Sequence, residues 1–584
     1  MGPLRAQGDV RMSPSPRSGA MNLIDQVHAH ADRMPDKPFL VHWQDGRYVV
    51  QTFGDLRDAA MRVGAALSLP ADGSTSDIVL LFLKHHPLQV PAYLGVMMAG
   101  LVPSFMSFPT PKQQPELYWQ AHAALIRRIR PRAIVAYDAI FEPLLPLAEE
   151  VGARLVAIDR IADGDVDCPR VDRDDGHTAL LQHSSGTTGL KKGVALTFSQ
   201  IRIQAEAYAP VIGLSEQSVV VSWLPLYHDM GLFTALLIPL TVGATVVVMD
   251  AFEWVGKPEL LFQLIERFRG THCWLPNFAF QHLVNTVPAD GSARYRLDSM
   301  RLFTSCSEPV KHVTLDAFAD AFADRGVRPE QLAACYAMAE TGFAVSHSPA
   351  GRRAPVRWYD ADLLASRGRA VAAVPDRPGS RPLVSNGPAL SGADVRILPL
   401  ETHADRSDAG GDGPGIRVGE IAVRGAFVFA GYHNDPSATE AAFASDWYRT
   451  GDVGFIDDGE IFISGRIKDI IIVHGRNYYA HDIEEIVSHE SGVLPGRSVA
   501  IGVPNAQTGS EDVVILAETR VEGDDTQRTL KRTIKQSIFS RLELTVHSVV
   551  LVSPGWLTKT SSGKISRSEN LARYRADRDA TARG

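Results

Sequence analysis

Ten consecutive residues, Ser184-Ser185-Gly186-Thr187-Thr188-Gly189-Leu190-Lys191-Lys192-Gly193, bring four hydroxyls, three glycines and two lysines into one loop. Glycines let backbone N–H groups approach a ligand closely, and hydroxyls and ammonium groups bind phosphate oxygens. Taken alone, the same composition also describes an ordinary flexible loop. It is not a Walker A sequence, because Gly186 and Gly189 are too close and Gly193, not Ser or Thr, follows Lys192. No kinase signature set and no good dinucleotide fingerprint accompany it.

The elements that must position this loop alternate between strand and helix. The apolar run Thr178–Leu181 predicts a buried strand that ends at Gln182-His183, just before the loop. Upstream, strand patterns at Ile78–Leu83, Val102–Phe108, Ile134–Tyr137 and Arg154–Ile158 are separated by helical spacing at Leu88–Ala99 and Phe141–Glu150. Downstream, Ser199–Val211, Met230–Ile238 and Pro258–Phe268 predict helices, with strands at Val219–Trp223, Ala244–Met249 and Cys273–Leu275. Two successive α/β halves imply two doubly wound lobes with a ligand cleft at the strand C-termini. Short β segments at Val395–Leu398 and Gly419–Arg424 predict a small β-barrel, and Ala404–Gly415 an exposed hairpin tip. From about residue 467 an independent α+β pattern begins. The expected fold class is therefore α/β. Residues 1–20 are expected to form a disordered leader, 21–466 a large N-terminal domain and 467–584 a smaller C-terminal domain.

Composition narrows the class of function. A chain of 584 residues exceeds one hydrophobic core, and 45% hydrophobic with 22% charged residues is ordinary globular composition. A net charge of −8 with no basic stripe argues against nucleic acid as a partner. The longest apolar stretch, Ala235–Met249, is too short to span a bilayer and carries Pro239 and Gly243. Cys168, Cys273, Cys306 and Cys335 form no CxxC pair, which predicts buried free thiols in a reducing, cytoplasmic setting.

Five further motifs follow the loop in order: Trp223-Leu224-Pro225-Leu226-Tyr227-His228-Asp229-Met230-Gly231-Leu232, Ser305-Cys306-Ser307-Glu308-Pro309, Cys335-Tyr336-Ala337-Met338-Ala339-Glu340-Thr341, Tyr448-Arg449-Thr450-Gly451-Asp452 and Gly465-Arg466-Ile467-Lys468-Asp469. Lys564, in a Thr/Ser/Gly-rich turn, closes the series. This ordered set resembles the adenylate-forming superfamily of acyl-CoA synthetases, peptide-synthetase adenylation domains and luciferase-like enzymes, over nearly the whole chain. Pro276-Asn277-Phe278-Ala279-Phe280 and the stretch from Gly475 to Glu484 resemble one branch, the fatty acyl-AMP ligases. The segment Ser346–Arg381 falls where that branch carries an insertion that hinders the CoA-using pose of the C-terminal domain. Lys191 and Ala480-His481 depart from the pattern, which has Pro and Pro-Gln there.

The resemblance implies ATP- and Mg²⁺-dependent conversion of a carboxylic acid to its acyl-AMP, with pyrophosphate released. It assigns Ser184, Ser185, Gly186, Thr187, Thr188, Gly189 and Lys192 to the β/γ-phosphates, and Thr188 and Glu340 to Mg²⁺. Tyr336 stacks on adenine beside Ser307 and Glu308, and Asp452 accepts the ribose hydroxyls with help from Arg466. His228 flanks the acyl carboxylate, and Lys564 bridges carboxylate and α-phosphate as charge develops. Lys468 is the hinge, and Trp223, Phe278, Ala279 and Phe280 line the acyl pocket. The acceptor is an acyl carrier protein thiol, with CoA as the enzymatic alternative. A nucleotide-binding relative without turnover is the alternative of another class; Glu340, Asp452 and Lys564 together weigh against it.

Overall fold

The computed structural model describes residues 21–583 except 69–75, 110–114, 162–167, 169–170, 172, 184–191, 289–294, 376, 378, 401–414, 474–475, 506–509 and 560–564. The expected leader, most of the expected hairpin tip at Ala404–Gly415 and the departure at Lys191 therefore lie outside the described residues.

Two parallel sheets carry the α/β alternation. One has four strands in the order Val102–Phe105, Ile78–Phe82, Ala133–Ala136 and Arg154–Ala157, all parallel. All five residues of Ile78–Phe82 are buried, as a strand covered on both faces requires. The second sheet has eight strands. Its centre, from Leu332–Ala337 through Leu302–Ser305, His272–Leu275, Val219–Ser222 and Thr245–Met249 to Pro38–Gln44, is parallel, and each edge is closed by an antiparallel strand, Ala344–His347 or Arg47–Thr52. Amphipathic helices such as Leu260–Phe268, which buries Leu260, Leu261, Phe262, Leu264 and Ile265, cover its faces. Each such side chain contributes about 1.5–3 kcal/mol of burial.

Three local features were not anticipated. A helix, Pro115–Ile129, precedes the strand Ala133–Ala136. The expected helix Met230–Ile238 is interrupted by a π-helical turn, Phe233–Leu237, directly after the His228 motif. The strand Thr178–His183 pairs antiparallel with a second strand, Gly193–Thr197, so strands flank residues 184–191 on both sides.

Where a small β-barrel is expected, the described residues form a five-stranded antiparallel sheet, with Ala393–Leu398, Gly419–Gly425, Trp447–Asp457 and Phe443–Ala444 in order and Glu460–Arg466 against Trp447–Asp457. Beyond it, Ile471, Ala480, Ile483, Val487, Ile515, Ile534 and Ile538 build a separate hydrophobic cluster.

The segment inside Ser346–Arg381 folds as the strand Val356–Asp360 and the helix Ala361–Arg367, and Val356–Asp360 pairs antiparallel with Ser380–Val384. It touches the C-terminal residues directly: Arg381 Nη2 donates to Asp482 Oδ1 at 2.8 Å, and Arg476 pairs with Asp362. Tyr479 packs into the cluster of Tyr359, Phe455 and Phe462.

Candidate active site

The site residues arrive from strand ends and from turns that follow them. Glu340 sits in a one-turn 3₁₀ helix, Ala339–Thr341, between the strands Leu332–Ala337 and Ala344–His347. Its backbone carbonyl accepts from Phe429 N at 2.8 Å, and its carboxylate Oε1 accepts from Tyr432 Oη at 2.9 Å. Burial pushes the Glu340 carboxyl above its usual range; hydrogen bonds from its own backbone N–H and the Tyr432 and Tyr448 hydroxyls pull it back, and the Asp229 charge pushes it up. A half-buried carboxylate so placed fits a cation, so Glu340 suits the expected Mg²⁺ role. No group of three or more His, Cys, Asp or Glu side chains forms a metal cluster among the described residues.

Lys192 is the one residue of the phosphate loop proper that is described; Ser184, Ser185, Gly186, Thr187, Thr188 and Gly189 lie outside. Its ammonium stands 4.6 Å from the centroid of the Tyr432 ring. Lys192 and Glu340 are thus joined through one tyrosine that the motif reading did not single out.

Asp452, 4% exposed, lies on the long strand Trp447–Asp457 opposite Arg466 on Glu460–Arg466. Arg466 Nε donates to Oδ1 at 2.7 Å and Tyr336 Oη to Oδ2 at 2.7 Å. Burial and the adjacent carboxylate keep the Tyr336 phenol protonated well above its ordinary range. Tyr336 is only 7% exposed, so its visible role is to hold the Asp452 carboxylate. Ser307 takes a positive φ of 68° at the end of the strand Leu302–Ser305, and Glu308 Oε2 accepts from Phe278 N at 3.0 Å. That contact ties the expected adenine-edge segment to the expected acyl segment.

His228 caps a short helix, with Nδ1 2.6 Å from Asp229 Oδ1. Lys468 falls in the 3₁₀ turn Ile467–Asp469, whose Asp469 is anchored by Arg567 at 3.0 Å. Lys564 lies outside the described residues.

The expected acyl residues divide. Trp223 stacks on Trp254 at 4.1 Å with an interplanar angle of 6°, and Phe278 meets Trp223 edge-on at 6.1 Å. Phe280 turns the other way, fully buried against Phe318 at 5.0 Å, and Ala279 is also fully buried. In a helix, positions two apart sit on opposite faces, so 278 and 280 cannot share one pocket wall. The period of Asn277–Thr286 contains that signal. Trp254, by contrast, lies on a separate short helix, Ala251–Gly256, and no motif points to it.

A family model described as AMP-binding enzyme matches residues 27–433, more than half of the chain. The chain belongs to the AMP-binding enzyme family. It is a ligase that activates an acid as its acyl-AMP. It is 31% identical over 552 residues to the 4-hydroxyphenylalkanoate adenylyltransferase of Mycobacterium tuberculosis, covering 90% of this chain and 86% of that protein. It is 33% identical to the medium-chain-fatty-acid–[acyl-carrier-protein] ligase JamA of Moorena producens, covering 67% and 66%. Among solved structures, a fatty acyl-adenylate ligase from a study of the E. coli and L. pneumophila enzymes superposes with a TM-score of 0.85 at 26% identity, covering 97% of this chain and all of that one. Within this AMP-binding enzyme, Glu340, Tyr432, Lys192, Asp229 and Tyr448 interact as one network, and the Tyr448 phenol also feels Tyr336.

Proposed function

We propose that this AMP-binding enzyme activates a fatty acid and passes the acyl group to the phosphopantetheine thiol of a carrier protein. The observation that carries the reading is the network just described. Tyr432 joins the Glu340 carboxylate to the Lys192 ammonium, and the cluster of Tyr336, Asp452 and Arg466 lies within electrostatic reach of it through Tyr448.

A carboxylate is a weak nucleophile and the triphosphate repels it, so positioning and charge neutralisation must provide the rate. Attack of the carboxylate oxygen on the α-phosphorus forms the acyl–phosphate anhydride and breaks the bond to the β-phosphate, which leaves as pyrophosphate. Asp452 orients the ribose, with Arg466 and Tyr336 holding that carboxylate in place. Lys192 contributes positive charge toward the leaving phosphates, and Lys564 offers its ammonium to the reacting oxygens. Glu340, with Thr188, would hold Mg²⁺, whose chemistry when bound is to offset phosphate charge. Residues 467–584 move against residues 21–466 about Lys468 between adenylation and transfer; their separate hydrophobic cluster supports this division. The buried cysteines Cys273, Cys306 and Cys335, none of them in a disulfide, fit a reducing compartment such as the cytoplasm. No described helix is long and apolar enough to cross a membrane.

One observation favours a second substrate class. The Trp223 and Trp254 indole N–H groups are buried without an acceptor among the described residues. Stacked indoles with free donors suit an acid that ends in an aromatic ring bearing a hydroxyl.

One experiment tests both readings. The enzyme is incubated with ATP, Mg²⁺ and a panel of alkanoic and hydroxyphenylalkanoic acids, then offered CoA or a holo carrier protein. Pyrophosphate release with alkanoic acids and acyl transfer to the carrier are expected. Acyl-CoA as the dominant product would overturn the carrier assignment, and turnover with hydroxyphenyl acids alone would replace the fatty acid.

A further inference from the structure

We propose that Tyr432 is a positioning residue that sets the Glu340 carboxylate and the Lys192 ammonium in register with each other, so that metal and phosphate are gripped together. The inference rests on the reading of Glu340 as the metal carboxylate.

Tyr432 is held from every side. Its backbone bridges Val194, and its neighbour His433 N donates to Gly193 O at 2.8 Å, which joins it to the strand that follows the phosphate loop. On the other side, Phe429 N donates to Glu340 O at 2.8 Å. Tyr432 N donates to Thr439 Oγ1 at 2.9 Å, and Arg128 clamps the following turn through Asp435 at 2.9 Å. Gln200, in the capping box of the helix Phe198–Val211, reaches Val428 O at 2.6 Å. Gly431 at φ 158° packs so closely that a Cβ there would lie 2.6 Å from the Thr439 methyl, so the chain enters Tyr432 along one path.

The side chain of Tyr432 therefore stands in a fixed place between two functional groups from distant parts of the chain. Its hydroxyl donates to Glu340 Oε1 and so fixes the orientation of that carboxylate. Its ring face attracts the Lys192 ammonium, an interaction that biases this exposed side chain toward the ring. Outer hydrogen bonds to a metal-binding carboxylate typically alter metal affinity by about 10–100-fold.

The two halves of Tyr432 can be removed separately in the full-length enzyme. Tyr432→Phe deletes the donor and keeps the ring, whereas Tyr432→Leu deletes both. Mn²⁺ is titrated by electron paramagnetic resonance in the presence of α,β-methylene-ATP, with Glu340→Gln as the reference and circular dichroism reporting the fold. Tyr432→Phe is expected to weaken Mn²⁺ binding about tenfold. Tyr432→Leu is expected to weaken analogue binding by a further threefold or so, which Tyr432→Phe does not. In turnover, Tyr432→Phe raises the Mg²⁺ concentration needed for half-maximal rate, and excess Mg²⁺ restores kcat. If Glu340→Gln abolishes Mn²⁺ binding while Tyr432→Phe matches wild type, the Tyr432 proposal is overturned and the metal reading stands. If Glu340→Gln itself leaves Mn²⁺ binding unchanged, the metal reading fails and the proposal falls with it. A Tyr432→Leu protein that binds analogue like Tyr432→Phe removes the Lys192 half.

Discussion

Tyr336 donates a 2.7 Å hydrogen bond to Asp452, 116 residues further along the chain, and thereby joins the eight-stranded sheet to the antiparallel sheet beside it. The same carboxylate takes Arg466 on its second oxygen. Both Asp452 carboxylate oxygens thus have a partner within the protein.

Replacing Asp452 by Ala leaves a buried phenol and a guanidinium without their acceptor. The expected loss is about 1–3 kcal/mol of stability, together with loss of AMP binding. Asp452→Asn keeps an acceptor for Tyr336 and should recover most of the stability but not the affinity. Chemical denaturation and calorimetric AMP titration read the two effects separately; equal AMP affinity in all three proteins would remove the ribose assignment.

Lys564→Ala is expected to abolish acyl-AMP formation while ATP still binds, because only the reaction gathers charge where this ammonium would act. Pyrophosphate release measured beside ATP binding decides it. Normal release would take Lys564 out of the chemistry.

Arg381 reaches Asp482, the Ser464 carbonyl at 3.1 Å and His481 Nε2 at 3.2 Å, so one side chain fastens the inserted segment to the C-terminal residues. Lys311 and Glu485 add a second tie at 3.2 Å. Arg381→Ala should speed amide exchange in the helix Ala480–Ser488 by roughly tenfold or more, since it strips a partner from a poorly solvated carboxylate. Exchange indistinguishable from wild type would show that the Tyr479 contacts and the Lys311–Glu485 pair hold this face without Arg381.

Acid should destabilise the fold in a defined window. Burial lowers His272 and His347 from their ordinary 6.5 to about 4, and His42 and His481 to about 3. Below pH 6.5 the unfolded chain takes up these protons and the native chain does not, so stability present above that pH falls as pH drops toward the folded values. Each such histidine contributes a slope of up to about 1.4 kcal/mol per pH unit. Urea denaturation at pH 7, 6 and 5 measures the slope, and a flat profile would contradict the buried, neutral assignment.

What could be read from the chain was local. The continuous burial of Ile78–Phe82 and the 3.6-residue period of Leu260–Phe268 are visible as patterns because each residue's environment repeats along its own element. Glu340, Asp452 and Lys192 stand out as candidates for a similar reason: short motifs carry their residue types with them. Even the split between Phe278 and Phe280 was implicit in helical geometry.

Other relationships have no period and no motif. Tyr432 meets Glu340 across 92 residues and Gln200 meets Val428 across 228, and both contacts exist only because segments far apart in the sequence pack together. The Trp223–Trp254 stack depends on a six-residue helix landing beside a strand end. Sequence by itself determined which reactive groups this protein has and the kind of layer that would carry them, since propensity and hydrophobic period act over a few residues. Tertiary structure alone decided which of those groups touch, because that depends on how the layers close, and closure is a property of the whole packed chain.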